Sequence, residues 1–283
     1  MSEQASGRAI AVRLTAIVGF TAVLFFPWSF GPARAQGEAG TAVTCKSDWS
    51  TIKGWLPPGA RIELLVAAGN TIPSAPVKLW PSYREAALSI IACAGDGSAI
   101  ELLPITDNGA TVAPLFVTTA PTPTPGLDNP TRERLLREAF VKSSVAAVDS
   151  LNATTTHFGG FDPLGALQLA GESLRHSPRG AKHVVVMIGN GWQQSDRINL
   201  FRWRDNPAKH ADDVIRQLKN DRTMPDLGGA DVVIAGLTRG DPKLKMGAPE
   251  FAGLRTFWEK MIVASHGHLV WNQAYLPGMT APL

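Results

Sequence analysis

The sequence predicts an α/β fold: a doubly wound, mostly parallel sheet with helices on both faces. Two continuous apolar runs support this prediction, VVVMI at 184–188 and ADVVIAGL at 230–237. Strands that are buried on both faces of a parallel sheet are apolar throughout, whereas half-exposed strands alternate apolar and polar residues. Helical patterns separate the strand patterns, as the crossover connections of a parallel sheet require. Ligands of such sheets bind beyond the carboxyl ends of the strands.

The first half of the chain predicts three strands and two helices. The strands are expected at 61–68, at 99–105 and, as an edge strand, at 112–118. The helices are expected at 81–93 and at 131–151, the second with an apolar face formed by Leu136, Phe140, Ala147 and Leu151. The Pro/Thr stretch between them, at 120–130, indicates a loop, because proline cannot donate in a β-ladder.

The second half continues the alternation. Asp162 is the expected N-cap of a helix that Pro163 begins, since proline has no N–H to satisfy at the first helical position. Its apolar stripe is Leu164, Leu167, Gly171 and Leu174, and residues 177–180 end the helix. After the strand at 184–188 come a helix at 208–220, a strand at 230–237, a helix at 249–265 and a short strand near 268–271.

Residues 1–35 have the pattern of a secretory signal peptide. Arg8 and Arg13 precede an apolar run from 14 to 30, and Ala33-Arg34-Ala35 is a small-x-small cleavage pattern. The alternative is an uncleaved membrane anchor. A run of 17 residues that contains Pro27 lies at the lower limit of the roughly 17–25 residues that a bilayer span needs.

Charge restricts the class of partner. Loss of residues 1–35 would remove three of the 27 basic residues and one of the 24 acidic residues, leaving a net charge of about +1. Nucleic acid is therefore not expected as a partner, and membrane contact is expected only if the N-terminal segment is uncleaved. Residues 36–59 are expected to form an N-terminal extension and residues 60–283 a single α/β domain without internal repeats.

Cys45 and Cys93 are the two cysteines of the chain. In an oxidising compartment, an even number of cysteines with no other partner predicts a disulfide. The alternative is a pair of buried free thiols.

The segment at 159–194, GGFDPLGALQLAGESLRHSPRGAKHVVVMIGNGWQQ, resembles the von Willebrand factor A family. It is most similar to the secreted A-type domains of high-GC Gram-positive bacteria, where a GTDPLGAL-like helix start is followed by a VVVLSDG-like strand. The similarity extends over roughly residues 60–275. The resemblance implies an adhesion-type domain with a metal-ion site at the carboxyl edge of its sheet.

Most ligand positions of that metal site are changed in this chain. The positions that match the family's ligands are occupied by Ala67, Gly69, Thr71, Phe161, Asp162 and Asn190. Only Thr71 and Asp162 keep the family's ligand chemistry, and the neutral amide of Asn190 is a weaker ligand than a carboxylate for a hard cation. We therefore expect no bound metal and no cofactor. Asp162 is then explained as a plain helix N-cap.

Large apolar residues are expected at the same edge. Phe161 and Trp192 stand where the resembled family presents an ion, and Trp203 and Arg202 follow, both of residue types enriched at binding hot spots. We expect an exported, non-catalytic module that recognises a protein or a cell-envelope component through this edge. Its binding residues are expected to be Thr71, Phe161, Asp162, Asn190, Trp192 and Trp203. The alternative is that the aromatic residues at 201 and 203 only cover the core beneath a long loop.

Enzyme signals are weak. The mature chain contains no G-x-S-x-G, P-loop, G-x-G-x-x-G or H-E-x-x-H pattern. His266-Gly267-His268 lacks a further ligand at supporting spacing, and the end of a helix explains one imidazole. The alternative function is an exported α/β hydrolase-like enzyme with Asp162, Asn190 and Thr71 as its polar groups.

Overall fold

A computed structural model of the chain describes residue 45 and residues 56–67, 76–123, 129–153, 160–178, 180–237 and 247–276, with the backbone alone at 76–79. All of these residues belong to one compact unit, Ala42–Leu283. The predicted signal segment at 1–35, Gly69 and Thr71 lie outside the described residues.

Six strands form a single sheet. They are β1 Arg61–Ala67, β2 Ala99–Ile105, β3 Phe116–Thr119, β4 His183–Ile188, β5 Asp231–Ala235 and β6 His268–Gln273. Their order across the sheet is β3-β2-β1-β4-β5-β6. All neighbouring pairs are parallel except β2 and β3, which are antiparallel. The predicted mostly parallel, doubly wound α/β fold is confirmed.

The two central strands are apolar and buried along nearly their whole length. β1 is buried at all six residues after Arg61, and β4 at all five after His183. Because successive side chains of a strand point to opposite faces, both faces of the sheet are covered at its centre. This is the pattern that the apolar run at 184–188 predicted.

In the part of the chain that the structure describes, five α-helices connect the strands: α1 Pro76–Cys93, α2 Pro130–Ser150, α3 Pro163–Arg175, α4 Pro207–Asn220 and α5 Ala248–Ala264. α2, α3 and α4 begin in the same way, with proline in the first turn after an Asn or Asp cap. The side chains of Asn129, Asp162 and Asn206 each accept a backbone N–H from their own first turn. This cap satisfies one of the donors that a helix leaves unpaired at its start.

Two predicted starts differ most from the structure. α1 begins at Pro76 instead of Pro81, so Pro81 lies inside the helix, which loses one N–H to carbonyl bond there. Pro76 takes the first helical position, where proline is favoured. The edge strand β3 begins at Phe116 instead of Val112, and its register with β2 starts at the pair of Phe116 and Leu102.

The buried face of α2 also differs from the prediction. It consists of Phe140, Ser144 and Val148, at i, i+4 and i+8, while Leu136 is 44 % exposed. The sequence pattern included Leu136 because it is apolar, but the helix is buried only from its middle, at Phe140, onward.

Cys45 and Cys93 form a disulfide with Cα atoms 4.7 Å apart, which fixes residue 45 at the end of α1. This separation lies inside the usual bridging range. Among the described residues, no helix has the length and the apolar character needed to cross a membrane.

Candidate functional site

The carboxyl ends of β1 and β4 lie side by side where the strand order reverses. From β1 the sheet continues to β2 and β3 on one side, and to β4, β5 and β6 on the other. In open α/β sheets, ligands bind in the crevice at this point. The candidate site is therefore expected among the residues that follow β1, β2 and β4.

Phe161 fills the centre of this edge with apolar atoms. Its side chain is 3 % exposed, and its backbone pairs with Gln194 through two hydrogen bonds of 2.8 and 2.6 Å. A Cβ placed on Gly189 would lie 3.0 Å from Cζ of Phe161 and 3.5 Å from Cβ of Ala67. The ring therefore lies against the backbone at the end of β4, beside the end of β1, where a metal site would need oxygen atoms.

Asn190 and its flanking glycines form the turn after β4. The buried Oδ1 of Asn190 accepts the N–H of Trp192 at 3.0 Å. Gly191 has a φ of +75°, and a Cβ there would lie 2.2 Å from Cδ2 of Leu237. Its carbonyl accepts the indole N–H of Trp258 at 2.8 Å. The amide of Asn190 thus closes a tightly packed turn, which only glycine at 191 permits.

The tryptophans near this edge contact other rings of the chain. Trp192 is 2 % exposed and stacks on Phe201, with ring centroids 4.9 Å apart. Trp203 is half-buried and stacks on His210 at 4.4 Å. Neither Trp192 nor Phe161 offers an exposed ring to a partner, so these two residues shape the edge from beneath. Trp192 therefore covers the core, which is the role that the sequence offered as the alternative for the aromatic residues at 201 and 203.

Asp162 connects three segments at this edge. Its Oδ1 accepts the N–H of Gly165 at 3.0 Å and Nε2 of Gln193 at 2.6 Å, and its Oδ2 accepts the N–H of Gly109 at 3.2 Å. The carboxylate therefore joins the start of α3 to the loops that follow β2 and β4. Burial raises the pKa of Asp162, and the hydrogen bonds from Gln193, Gly165 and Gly109 act in the opposite direction.

Gln193 completes this network, and sequence reasoning missed it. Its buried side chain accepts the N–H of Leu164 at 3.1 Å through Oε1 and donates to Ser195 Oγ at 2.9 Å, in addition to its bond to Asp162. A glutamine in a polar run has no periodic signal. The available signal was its position a few residues after the end of β4, where polar residues of this fold class converge.

An open polar groove lies beside this network. It has a volume of about 670 Å³, and its walls are the loop after β2, the first turns of α3 and the segment at 193–199. The groove is lined by side chains that include Asn108, Gln168, Asp196, Arg197, Asn199 and Arg202. Asp196, Arg197 and Arg202 are exposed. The groove thus presents amides and charges of both signs.

The described residues of this edge do not fit a divalent metal ion. Both oxygens of Asp162 accept N–H donors of the chain, and Oδ1 of Asn190 closes its own turn. Phe161 and Ala67 contribute no oxygen, whereas a hard cation needs several oxygen ligands. The described part of the chain contains no cluster of three or more His, Cys, Asp or Glu residues that could hold a metal ion.

The histidines at 266 and 268 do not converge on a common point either. Nδ1 of His266 lies 3.2 Å from Oδ1 of Asp226, and Nδ1 of His268 lies 3.8 Å from Oδ1 of Asp231. His268 and Asp231 are the first residues of β6 and β5, so they lie at the amino edge of the sheet. Each imidazole lies beside a different carboxylate, so the two histidines do not form a common metal site.

No protein-family model matches this chain, and no curated protein is similar to it at a significant level. The geometry of the carboxyl edge is therefore the basis for a functional proposal.

Proposed function

We propose that this chain is an exported, non-catalytic binding module, related to von Willebrand factor A domains, that does not use a metal. It recognises a protein or a cell-envelope component through the carboxyl edge of its sheet. The observation that carries the proposal is the hydrogen bonding of Asp162. Both of its oxygens accept hydrogen bonds from the chain, and the residue lies beside an open groove. Because its hydrogen bonds join the segments that form the walls of the groove, this carboxylate holds the walls in position.

The position of the groove supports a binding role. It lies at the carboxyl edge, where doubly wound sheets take their ligands, and β1 and β4 meet at the point of strand-order reversal. The rings of Phe161 and Trp192 are buried beneath this edge. A surface supported by packed rings loses little conformational entropy when a partner binds, and this lowers the cost of association.

The chemistry of the groove supports a polar partner surface. Arg197, Arg202 and Asp196 are exposed, and Gln168 and Asn199 add amide donors and acceptors. Interfaces between soluble proteins typically contain about ten direct hydrogen bonds, and arginine is enriched at their hot spots. We therefore place the partner in contact with the arginines of the groove.

Export is part of the proposal. The Cys45–Cys93 disulfide supports it, because disulfides persist in oxidising compartments. The basic, apolar and small-x-small pattern of residues 1–35 supports it as well.

Site-specific photo-crosslinking tests the proposed surface. One variant carries a photoreactive residue at Gln168, in the groove, and the control carries it at His268, which is exposed at the opposite edge. After incubation with a cell-envelope extract and illumination, we expect a discrete adduct from position 168 that position 268 does not give. Equal labelling from both positions would contradict the assignment of the partner surface to the groove.

A broad esterase and phosphatase screen tests the non-catalytic part of the proposal. We expect no turnover above background by the purified chain. Turnover that is lost in Asp162→Asn would replace the binding module with the hydrolase-like enzyme, which would use Asp162, Asn190 and Thr71.

A further inference from the structure

A buried ion cluster lies between α3 and the sheet, away from the carboxyl edge. It consists of Arg61 and Glu63 on β1, Glu101 on β2 and Ser173 on α3. Glu63 and Glu101 are direct partners in the register of the two parallel strands, and Arg61 lies two residues before Glu63, on the same face. Glu63 is fully buried and Glu101 is buried. We call these four residues the ion cluster.

One acceptor of the ion cluster has no donor within reach. Arg61 donates from Nε to Oε1 of Glu63 at 2.7 Å, and from Nη2 to Oε2 of Glu101 and to Ser173 Oγ. The Ser173 hydroxyl lies 3.1 Å from Oε1 of Glu63 and 2.8 Å from Oε2 of Glu101, but its single proton serves one carboxylate at a time. Oε2 of Glu63 is buried without a hydrogen-bond partner.

One additional proton would resolve this imbalance. With both glutamates ionised, the ion cluster would carry a net negative charge in a buried position and an unsatisfied carboxylate oxygen, and both are unfavourable. A proton on Glu63 neutralises the cluster and removes the charge from the carboxylate that has an unpartnered oxygen. Burial raises the pKa of Glu63 to about 7. Arg61 opposes this rise and Glu101 adds to it.

The strand on the other side of β1 places a histidine beside the ion cluster. On β4, Val185 is the register partner of Glu63, and His183 is the partner of Arg61. Burial lowers the pKa of His183, and Arg61 and Lys182 lower it further, which favours the neutral imidazole.

A groove gives the ion cluster access to solvent protons. It has a volume of about 390 Å³, and Arg61, Glu101 and Ser173 are among its lining residues. On the α3 side, the exposed Glu172 and His176 also line it. The groove provides a route by which a proton can exchange between the cluster and water.

We propose that the ion cluster is a proton-dependent switch that fastens α3 to β1 and β2 when Glu63 is protonated, and that weakens this contact when the proton leaves. This inference does not depend on the function proposed above. An unfolded glutamate releases its proton near 4.5, whereas folded Glu63 keeps it to about 7. The stabilisation from Glu63 is therefore complete below pH 4.5 and is lost as the pH rises through 7.

Urea unfolding of the full chain at about pH 5 and about pH 8.5 tests the switch. Glu63→Gln imitates the protonated side chain and cannot titrate. We expect this variant to reduce the change in the unfolding equilibrium constant between the two pH values by on the order of 100-fold relative to the wild type. The control is Glu172→Gln, an exposed glutamate at the rim of the same groove, which should keep the pH dependence of the wild type.

Equal pH dependence in the wild type and in Glu63→Gln would overturn the proposal. If Glu63→Gln does not fold, a ¹³C NMR titration of the glutamate carboxyl groups in the wild type decides the question. One buried glutamate that titrates near 7 supports the switch, and titration of every glutamate near 4.5 contradicts it.

Discussion

Asp162 is a half-buried carboxylate and Glu63 a fully buried one, and their surroundings differ. Asp162, at the start of α3, accepts N–H donors on both of its oxygens. Glu63, in the middle of β1, accepts hydrogen bonds on Oε1 only, and its Oε2 has no hydrogen-bond partner. Burial raises the pKa of both groups. We infer that the supply of donors, together with the deeper burial of Glu63, separates a carboxylate that fixes the chain from one that exchanges a proton.

The backbone explains this difference. The first turn of a helix has free N–H groups, and Asp162 uses the one of Gly165. The backbone N–H groups of a central strand donate to the neighbouring strands. The carboxylate of Glu63 therefore depends on the side chains of Arg61 and Ser173 for its hydrogen bonds. We therefore expect Asp162 to hold the carboxyl edge together and the ion cluster to respond to pH.

The largest expected effect is on the packing beneath the carboxyl edge. Trp192→Ala removes a buried ring that stacks on Phe201 and should cost about 3–5 kcal/mol of stability. Urea unfolding measures this loss. Trp203→Ala is the control, and its half-buried ring should cost less. A Trp192→Ala protein as stable as the wild type would show that this edge does not rest on a packed core.

Removal of the Asp162 carboxylate should have the second largest effect. Asp162→Ala leaves the N–H groups of Gly165 and Gly109 and the amide of Gln193 without their acceptor, and should cost about 2 kcal/mol. Asp162→Asn keeps one acceptor oxygen and should cost less. The free energy of unfolding checks both variants. Equal losses in the two would mean that the hydrogen bonds to Asp162 do not stabilise the edge.

Charge reversal in the groove tests the binding surface. The double variant Arg197→Glu with Arg202→Glu should reduce crosslinking of the partner from position 168 about tenfold, which corresponds to about 1.4 kcal/mol. The melting temperature should remain close to that of the wild type, because both arginines are exposed. Arg134→Glu, an exposed arginine on α2, is the control and should leave crosslinking unchanged. An unchanged adduct in the double variant would exclude these arginines from the interface.

The smallest expected effect concerns the hydroxyl of the ion cluster. Ser173→Ala removes a donor that lies within reach of Glu63 and of Glu101, and should cost about 1 kcal/mol, with a larger cost at alkaline pH, where Glu63 is ionised. Ser143→Ala is the control, because that hydroxyl bonds only to the carbonyl of Phe140 in its own helix. Unfolding curves at two pH values compare the variants. A cost that does not change with pH would separate Ser173 from the protonation of the cluster.

Local signals in the sequence were sufficient for most of the fold. The apolar run at 184–188 and the Asp162-Pro163 helix start depend on neighbouring residues, and both are found in the structure where the sequence placed them. The start of α1 was wrong because proline can begin a helix at either Pro76 or Pro81, and only tertiary packing selects between them.

The side-chain networks could not be derived in the same way. The clue to the ion cluster was the repeated sequence IELL at 62–65 and 100–103, which puts a glutamate in the middle of each of two buried strands. Its meaning depends on the register that pairs Glu63 with Glu101, and register is a long-range property. Likewise, the contact of Gln193 with Asp162 joins residues 31 positions apart.

Calorimetric titration of the purified chain with Mg²⁺ and Mn²⁺ is the most direct test of the claim that Asp162 holds the chain together and does not bind a metal ion. Because both oxygens of Asp162 accept hydrogen bonds within the chain, no saturable heat is expected from the wild type. Saturable binding with a micromolar Kd that disappears in Asp162→Ala would show that the Asp162 carboxylate binds a metal ion instead of only holding the chain together. It would identify the carboxyl edge as a metal site.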